Sequence, residues 1–319
     1  MYHEPIFLEP VFQERIWGGE KLKEKYGYPI PSKQTGEAWV ISAHPNGPSQ
    51  IKNGPLKGKT LAEAWEDYGK LFNKDTDNKE EYPLLVKLLD ANANLSVQVH
   101  PDDTYAREVE GVPYGKTECW YVVSAESEAE LIIGHHATSR DELQQMMQSG
   151  EWDALLKRVP VQAGDFVHVP SGTIHAIGSG IVILETQQSS DITYRVYDYD
   201  RTDAAGNKRD LHLEKAAQVT TVPDNRAALI EHAEDKQGDL SIKRLVEDPY
   251  FTVEHWKLNG ATENKLEVDF LQVSVLEGKG DIIVEGKTFN LEKGMHFILP
   301  HTVKDYRFDG ELELVVSWV

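Results

Sequence analysis

Val161 to Ile177 reads VQAGDFVHVPSGTIHAI, and this stretch decides the fold. Gly164-Asp165 marks a turn, Phe166 to Val169 is a short aromatic and β-branched run, and Pro170-Ser171-Gly172 marks a second turn ahead of His175. Strand, tight turn and strand in such short compass are the building unit of an all-β protein. The phrase returns near the C-terminus as LEKGMHFILPHTVKDYRF, Leu291 to Phe308, where Gly294 stands six residues before Pro300 just as Gly164 stands six before Pro170. Past the proline the copies diverge, with Thr302 at the place of Gly172 and Asp305 at the place of His175. The turn is repeated and the imidazole is not.

Outward from this repeat the pattern stays β. Leu84–Leu89, Ser96–His100, Cys119–Val123, Leu131–Ile133, Ile181–Leu184 and Thr193–Tyr197 are short strand candidates between Gly, Pro and Asp clusters. Near the C-terminus FLQVSVLEGKGDIIVEG reads as a hairpin about Gly278 to Gly280, and Leu312, Leu314, Val316 and Trp318 alternate at period two. Helical spacing is confined to TLAEAWEDYGKLF behind a Thr60 cap, to SRDELQQMMQSGEWDALLKRV behind Ser139, and to the patch LHLEKAAQVT. The first 55 residues read as loops and short strands. The expected organisation is an N-terminal region, 1–200, a polar connector, 201–245, and a second β unit, 246–319.

The chain has 319 residues, enough for one large domain or two ordinary ones. No run approaches the roughly 20 apolar residues of a membrane helix. Its charge of −20 repels phosphate backbones and anionic lipid, which argues against nucleic acid or a membrane surface as partner. An anionic substrate must therefore be held by a few local cations. The single cysteine, Cys119, allows no intrachain disulfide, and MYHEPIFLEP lacks the basic start and apolar stretch of a secretory signal, so a cytoplasmic location is expected.

Gln98 and His100 are two apart on one strand and so share a face; Glu118 opens another strand, and His175 enters a third behind the Pro170-Ser171-Gly172 turn. Two imidazoles and one carboxylate are a usual donor set for Zn²⁺, with an amide oxygen as a weak fourth ligand and positions left for substrate. Cys119, next to Glu118, points to the opposite face and is expected to be buried and inert. Trp17 beside Gly18-Gly19 reads as pocket lining or as plain packing.

This spacing resembles the two motifs of the cupin β-barrel, with Gly164, Pro170, Gly172 and His175 in the second and Gln98, His100 and Glu118 in the first, Gln replacing the usual first His. Together with QVHPDD, GKTE, SSDITYRVYD, RIWGG, GEAW and PLLVKLLDA, it resembles the type I mannose-6-phosphate isomerases in their short bacterial form. The resemblance implies a mainly β protein of two cupin-type β-barrel (jelly-roll) units with a few α-helices, the second unit degenerate and without metal ligands. It implies one zinc per chain on Gln98, His100, Glu118 and His175. Arg195, Lys116, Glu185 and Asp191 are the implied catalytic residues, with Glu185 first choice for the proton-shuttling base, and Ser96 and Lys87 the implied contacts to a sugar phosphate. The implied reaction interconverts mannose 6-phosphate and fructose 6-phosphate through a cis-enediol. A cupin non-haem iron oxygenase and a non-catalytic sugar-phosphate-binding cupin are the alternatives.

Overall fold

The repeated phrase forms the same turn twice. In the computed structural model, which describes residues 2–75, 79–203 and 205–319, Gly164 and Gly294 both have left-handed backbone, with φ of 92° and 85°. Glycine alone takes this conformation without a Cβ clash. The Gly164 N–H donates to Val122 O at 2.8 Å and the Gly294 N–H to Val275 O at 2.9 Å. Each valine N–H donates back to the residue after the glycine, Asp165 O at 2.9 Å and Met295 O at 3.0 Å. Both prolines then accept from the third residue on, Thr173 N and Val303 N. A repeat legible only as spacing is a repeat of backbone hydrogen bonding.

The protein is mainly β, and its described residues form three sheets and a few short helices, none of these sheets closing on itself as a barrel. The chain divides into two compact units, residues 1–11, 39–87 and 231–319 in one, 12–38 and 88–230 in the other. This division interleaves the chain, whereas the sequence reading cut it once, around 201–245.

The first unit carries a nine-stranded sheet. Its central strands Thr252–Lys265, Asp305–Trp318 and Leu271–Val284 are 14 residues each, and Leu258, Val273, Val275, Phe297, Leu314 and Val316 form the buried core on one face. The expected hairpin at Gly278 to Gly280 is absent: Leu271–Val284 runs straight through it. Those glycines mark close approach, because Gly280 sits in register with Gly310 and a Cβ on Gly310 would lie 2.6 Å from the Gly280 Cα. The turn comes later, at Glu285-Gly286, where φ of 48° and 76° suit the mirror-image turn that matches strand twist. A capping box between Thr60 and Glu63 starts the helix Leu61–Asp67, and a 3₁₀ turn, Gly69–Phe72, completes the stretch read as helical.

The second unit stacks three layers. A six-stranded sheet contains Phe166–Val169, Glu118–Ala125 and Ile181–Gln188 as neighbours. A five-stranded sheet has the order Tyr194–Tyr197, Val97–Val99, His175–Ile177, Glu130–His135 and Leu156–Pro160. Trp17, Trp120, Val122, Leu131, Ile133, Val167, Val169 and Ile177 fill the space between them, and Trp17, 4% exposed, is packing. On its other face the five-stranded sheet presents Val97, Val99, Ala176 and Val196 to Leu143 and Met147 of helix Arg140–Ser149 and Ala216 of helix Leu213–Val219. The helix expected to run on past Gly150 does so for one turn, Trp152–Leu155, and Leu156–Pro160 is an edge strand. Leu155 and Leu156 are both buried, a short apolar run that periodicity cannot assign. Among the described residues no helix is long and apolar enough to cross a membrane.

Candidate metal centre

Strand Val97–Val99 places Gln98 in register with His175 on one neighbour and with Arg195 on the other. Residues directly opposite in antiparallel strands point to one face, so Arg195, Gln98 and His175 form a row across the five-stranded sheet. From the facing sheet, Glu118 is in register with Val169 and Gln187, and Trp120, two residues on, with Glu185. Glu118, Gln187, Trp120 and Glu185 therefore share the face that meets the row, and the Trp120 and His175 rings lie 5.4 Å apart, edge to face. His100 follows the end of its strand, and its carbonyl accepts from Gly172 N at 2.8 Å, tying the two motif segments together. Gly172 has φ of 81°, and a Cβ there would lie 2.6 Å from Thr221 Oγ1, so the motif requires glycine at this point.

Among the described residues, His100, Glu118 and His175 offer ligand atoms that all lie within 4.8 Å of one another, and all three side chains are buried. His175 Nε2 is 3.3 Å from Glu118 Oε1, and His100 Nε2 is 3.6 Å from Glu118 Oε2. Gln98 joins them through its amide nitrogen, Nε2 donating to His175 Nε2 at 3.3 Å. Each imidazole donates its other nitrogen to a carbonyl: His100 Nδ1 to Ile192 O at 2.7 Å and His175 Nδ1 to Thr173 O at 2.9 Å. That pairing leaves both Nε2 lone pairs facing the cluster, the arrangement that metal-ligating histidines use. Burial, with the Lys116 ammonium adding to it, pushes His175 down to about 3, so its ring is neutral and able to ligate. The donor set fits a divalent cation. Two neutral imidazoles and one carboxylate, with an amide oxygen at hand, are nitrogen and oxygen donors of the kind Zn²⁺ takes.

Lys116 stands against this cluster, its Nζ 2.5 Å from Glu118 Oε2 and 3.2 Å from His100 Nε2, with 5% of the residue exposed. Burial pulls its pKa down, but Glu118 and Glu185 outweigh burial and hold it above the ordinary value, so it remains an ammonium. Glu185, 3% exposed, accepts from Trp120 Nε1 at 3.0 Å through Oε1. Arg195 is steadied by donating from Nη1 to Asp210 O at 2.9 Å, and its backbone N–H donates to His212 Nδ1 at 3.0 Å. Burial and the neighbouring Arg209 lower its pKa, while Asp198 and Asp210 are the carboxylates acting against that shift. Asp191 is exposed. Ser96 is buried, two residues before Gln98. Lys87 is buried in the first unit, its ammonium 5.3 Å from the centroid of the Trp39 ring. Cys119 is 2% exposed, as expected of the opposite strand face.

Several supporting groups carried no signal of their own in the sequence. The carbonyls of Thr173 and Ile192 are backbone atoms that any residue would supply. Gln187 and Gln188 lie in the phrase TQQSSD, directly before the SSDITYRVYD already singled out, and both are buried. Arg15 and Glu37, from RIWGG and GEAW, form a two-point ion pair at 2.9 and 3.2 Å, and a Cβ on Gly36 would meet Arg15 Cβ at 2.6 Å. Those two phrases are paired neighbours.

Comparison with known proteins agrees with this geometry. Residues 6–134 match the model of the phosphomannose isomerase type I catalytic domain, and residues 241–319 that of the mannose-6-phosphate isomerase cupin domain. The chain is 51% identical to the mannose-6-phosphate isomerase of Streptococcus mutans over 98% of both chains. It is 48% identical to a mannose-6-phosphate isomerase of Bacillus subtilis over 99% of both. The crystal structure of a Bacillus subtilis mannose 6-phosphate isomerase superposes with a TM-score of 0.95 at 48% identity, covering 99% of each chain. The chain belongs to the type I phosphomannose isomerase family, and the protein is an isomerase.

Proposed function

We propose that the protein interconverts mannose 6-phosphate and fructose 6-phosphate in the cytoplasm, at one zinc ion per chain held by Gln98, His100, Glu118 and His175. The observation that supports this most directly is the convergence of His100, Glu118 and His175 within 4.8 Å, inside a unit whose relatives are isomerases of that sugar phosphate. Zinc bound there would supply Lewis acidity, polarising the sugar carbonyl beside the C–H bond to be deprotonated. The chain's own residues do the rest. Isomerisation removes a weakly acidic proton from C2 of the aldose and returns one to C1 through a cis-enediol, so a base must be held still beside the sugar. Glu185 suits that role, since its carboxylate is buried and Trp120 fixes one of its oxygens.

Two fixed cations answer the negative charge that develops on the sugar oxygens. Lys116 is kept protonated by Glu118 and Glu185, and Arg195 is held on the ligand row by the 209–212 segment. The family resemblance adds Asp191, which is exposed, to the catalytic set. In a chain of charge −20, the substrate phosphate must be met by local groups, for which the family resemblance offers Ser96 and Lys87. A coupled assay for fructose 6-phosphate formation, run alongside metal analysis, tests the proposal. Turnover of mannose 6-phosphate with about one zinc per chain supports it, and metal-free protein with full activity overturns the zinc centre.

A further inference from the structure

The strand that carries Glu185 ends in two glutamines, and their hydrogen bonds lead to the ligands by separate routes. Gln187 is fully buried and in register with Glu118. Its Nε2 donates both hydrogens, to Gln188 O at 2.8 Å and to Ser190 O at 2.6 Å, and Ser190 N also donates to Gln188 O at 2.7 Å. Two carbonyl acceptors fix which end of the carboxamide is nitrogen, because an oxygen there would face two other oxygens. The result is a pinned turn that delivers Ile192 O to His100 Nδ1 at 2.7 Å. Gln188 takes the second route. Its backbone N–H donates to Thr117 O at 3.0 Å and its Oε1 accepts from Thr117 N at 2.8 Å, gripping both peptide groups of the residue between Lys116 and Glu118.

We infer that Gln187 is a positioning residue for the metal centre: by pinning the Gln188–Ile192 turn it keeps the Ile192 carbonyl on His100 Nδ1 and so keeps the Nε2 lone pair aimed at the ion. The inference rests on the reading of His100 as a metal ligand. Gln187 Oε1 is buried without a hydrogen-bond partner among the described residues. An unmet buried acceptor is a cost that an apolar side chain of the same reach would avoid. A residue kept for packing alone would gain by losing the amide, so the two donor bonds are its reason to be there. The His100 contact is the one ligand-orienting bond that the turn supplies.

The test is Gln187→Met, which keeps length and removes both the donors and the orphaned acceptor. Zinc affinity is measured by competition with a chromophoric chelator, beside thermal unfolding of the metal-free protein. The expected result is a zinc Kd weakened about 10- to 100-fold, the usual effect of losing a partner that orients a ligand. Melting of the metal-free variant is expected to be unchanged or higher. A Kd within about threefold of the parent would overturn the inference. Failure of the parent itself to bind zinc would instead overturn the metal-centre reading, so the two failures are separable. Should Gln187→Met not fold, Gln187→Asn is measured the same way, since one methylene fewer withdraws the amide from both carbonyls without adding bulk. The ¹⁵N shifts of the His100 ring supply a second readout: the parent without metal shows a proton fixed on Nδ1, and the variant a mixture of tautomers. A variant ring still fixed on Nδ1 also counts against the inference.

Discussion

Glu118→Gln separates two roles that one carboxylate performs. Without metal, Glu118 is the nearest anion to a buried ammonium, 2.5 Å from Lys116 Nζ, and the side chains are 0% and 6% exposed. Glutamine keeps the shape and removes the charge. Breaking one side of a buried pair costs roughly 3 to 5 kcal/mol, because the other charge stays desolvated. Here Glu185 and Glu37 also act on Lys116, so the low end applies, about 3 kcal/mol. For a unit of roughly 150 to 250 residues each kcal/mol shifts melting by about 2 to 4 °C, so metal-free Glu118→Gln should melt roughly 6 to 12 °C below the parent. Adding Lys116→Met removes the stranded ammonium and should restore most of that loss, a coupling that a double-mutant cycle reads directly. With metal the sign for Lys116 changes: the single variant lacks the only charged ligand, so zinc adds far less to its melting temperature than to the parent's. Circular dichroism melts of the four proteins, each with chelator and with zinc, settle the matter. A Glu118→Gln protein that melts within about 2 °C of the parent in chelator and gains as much from zinc would refute both roles.

Three other outcomes follow from the same geometry. Arg195→Ala and Arg195→Lys should both retain zinc and lose about 10² to 10³ in kcat with a smaller change in KM, since a group that meets charge only in the transition state is missed there; a raised KM at unchanged kcat would make Arg195 a phosphate anchor. Chelator should abolish turnover and Zn²⁺ restore it at about one equivalent per chain, and elemental analysis of active protein without divalent metal would refute the centre. His296, 1% exposed, donates to or accepts from Ser274 Oγ at 2.9 Å, and burial pushes it down from 6.5 to about 3. The unfolded chain therefore binds a proton that the folded one refuses between those values, and stability falls as pH drops through that window. His296→Gln should lessen that acid limb, to which the similarly shifted His175 also contributes, in denaturant titrations of metal-free protein at pH 7, 5.5 and 4; an unchanged slope would show that His296 does not contribute.

Much of this molecule was legible because its punctuation is local. Gly164, Pro170, Gly172, Gly294 and Pro300 fix φ within a few residues of themselves, so their spacing carries the turns and the strands beside them. Two misreadings show the limit. Gly278 and Gly280 look like a hairpin tip, yet glycine also serves where two backbones approach, and only the partner strand with Gly310 distinguishes the cases. Leu155-Leu156 fits a helix or a buried strand equally well until an edge of the five-stranded sheet claims the residues after it. The ligand types could be named from the motifs, but the row Arg195, Gln98, His175 could not, because it depends on register between strands roughly a hundred residues apart.

The two copies of the turn show which part of the phrase belongs to folding and which to chemistry. Both glycines adopt the same left-handed conformation and both donate to a valine in the neighbouring strand, so the first half of the phrase is demanded by the strand pairing wherever it occurs. After the proline the demand lapses. In the C-terminal copy Asp305 is exposed at the start of a 14-residue strand, while in the other copy His175 is 1% exposed between Gln98 and Ile133. A buried imidazole is costly unless each nitrogen has something to bind; His175 Nδ1 has Thr173 O, and its Nε2 accepts from Gln98 Nε2 at 3.3 Å. That Nε2 also lies 3.3 Å from Glu118 Oε1 and beside the His100 ring, so burying His175 assembles the donor cluster on which the proposed metal centre rests. The motif's last residue, and not its turn, therefore marks the copy to which the proposal assigns the chemistry.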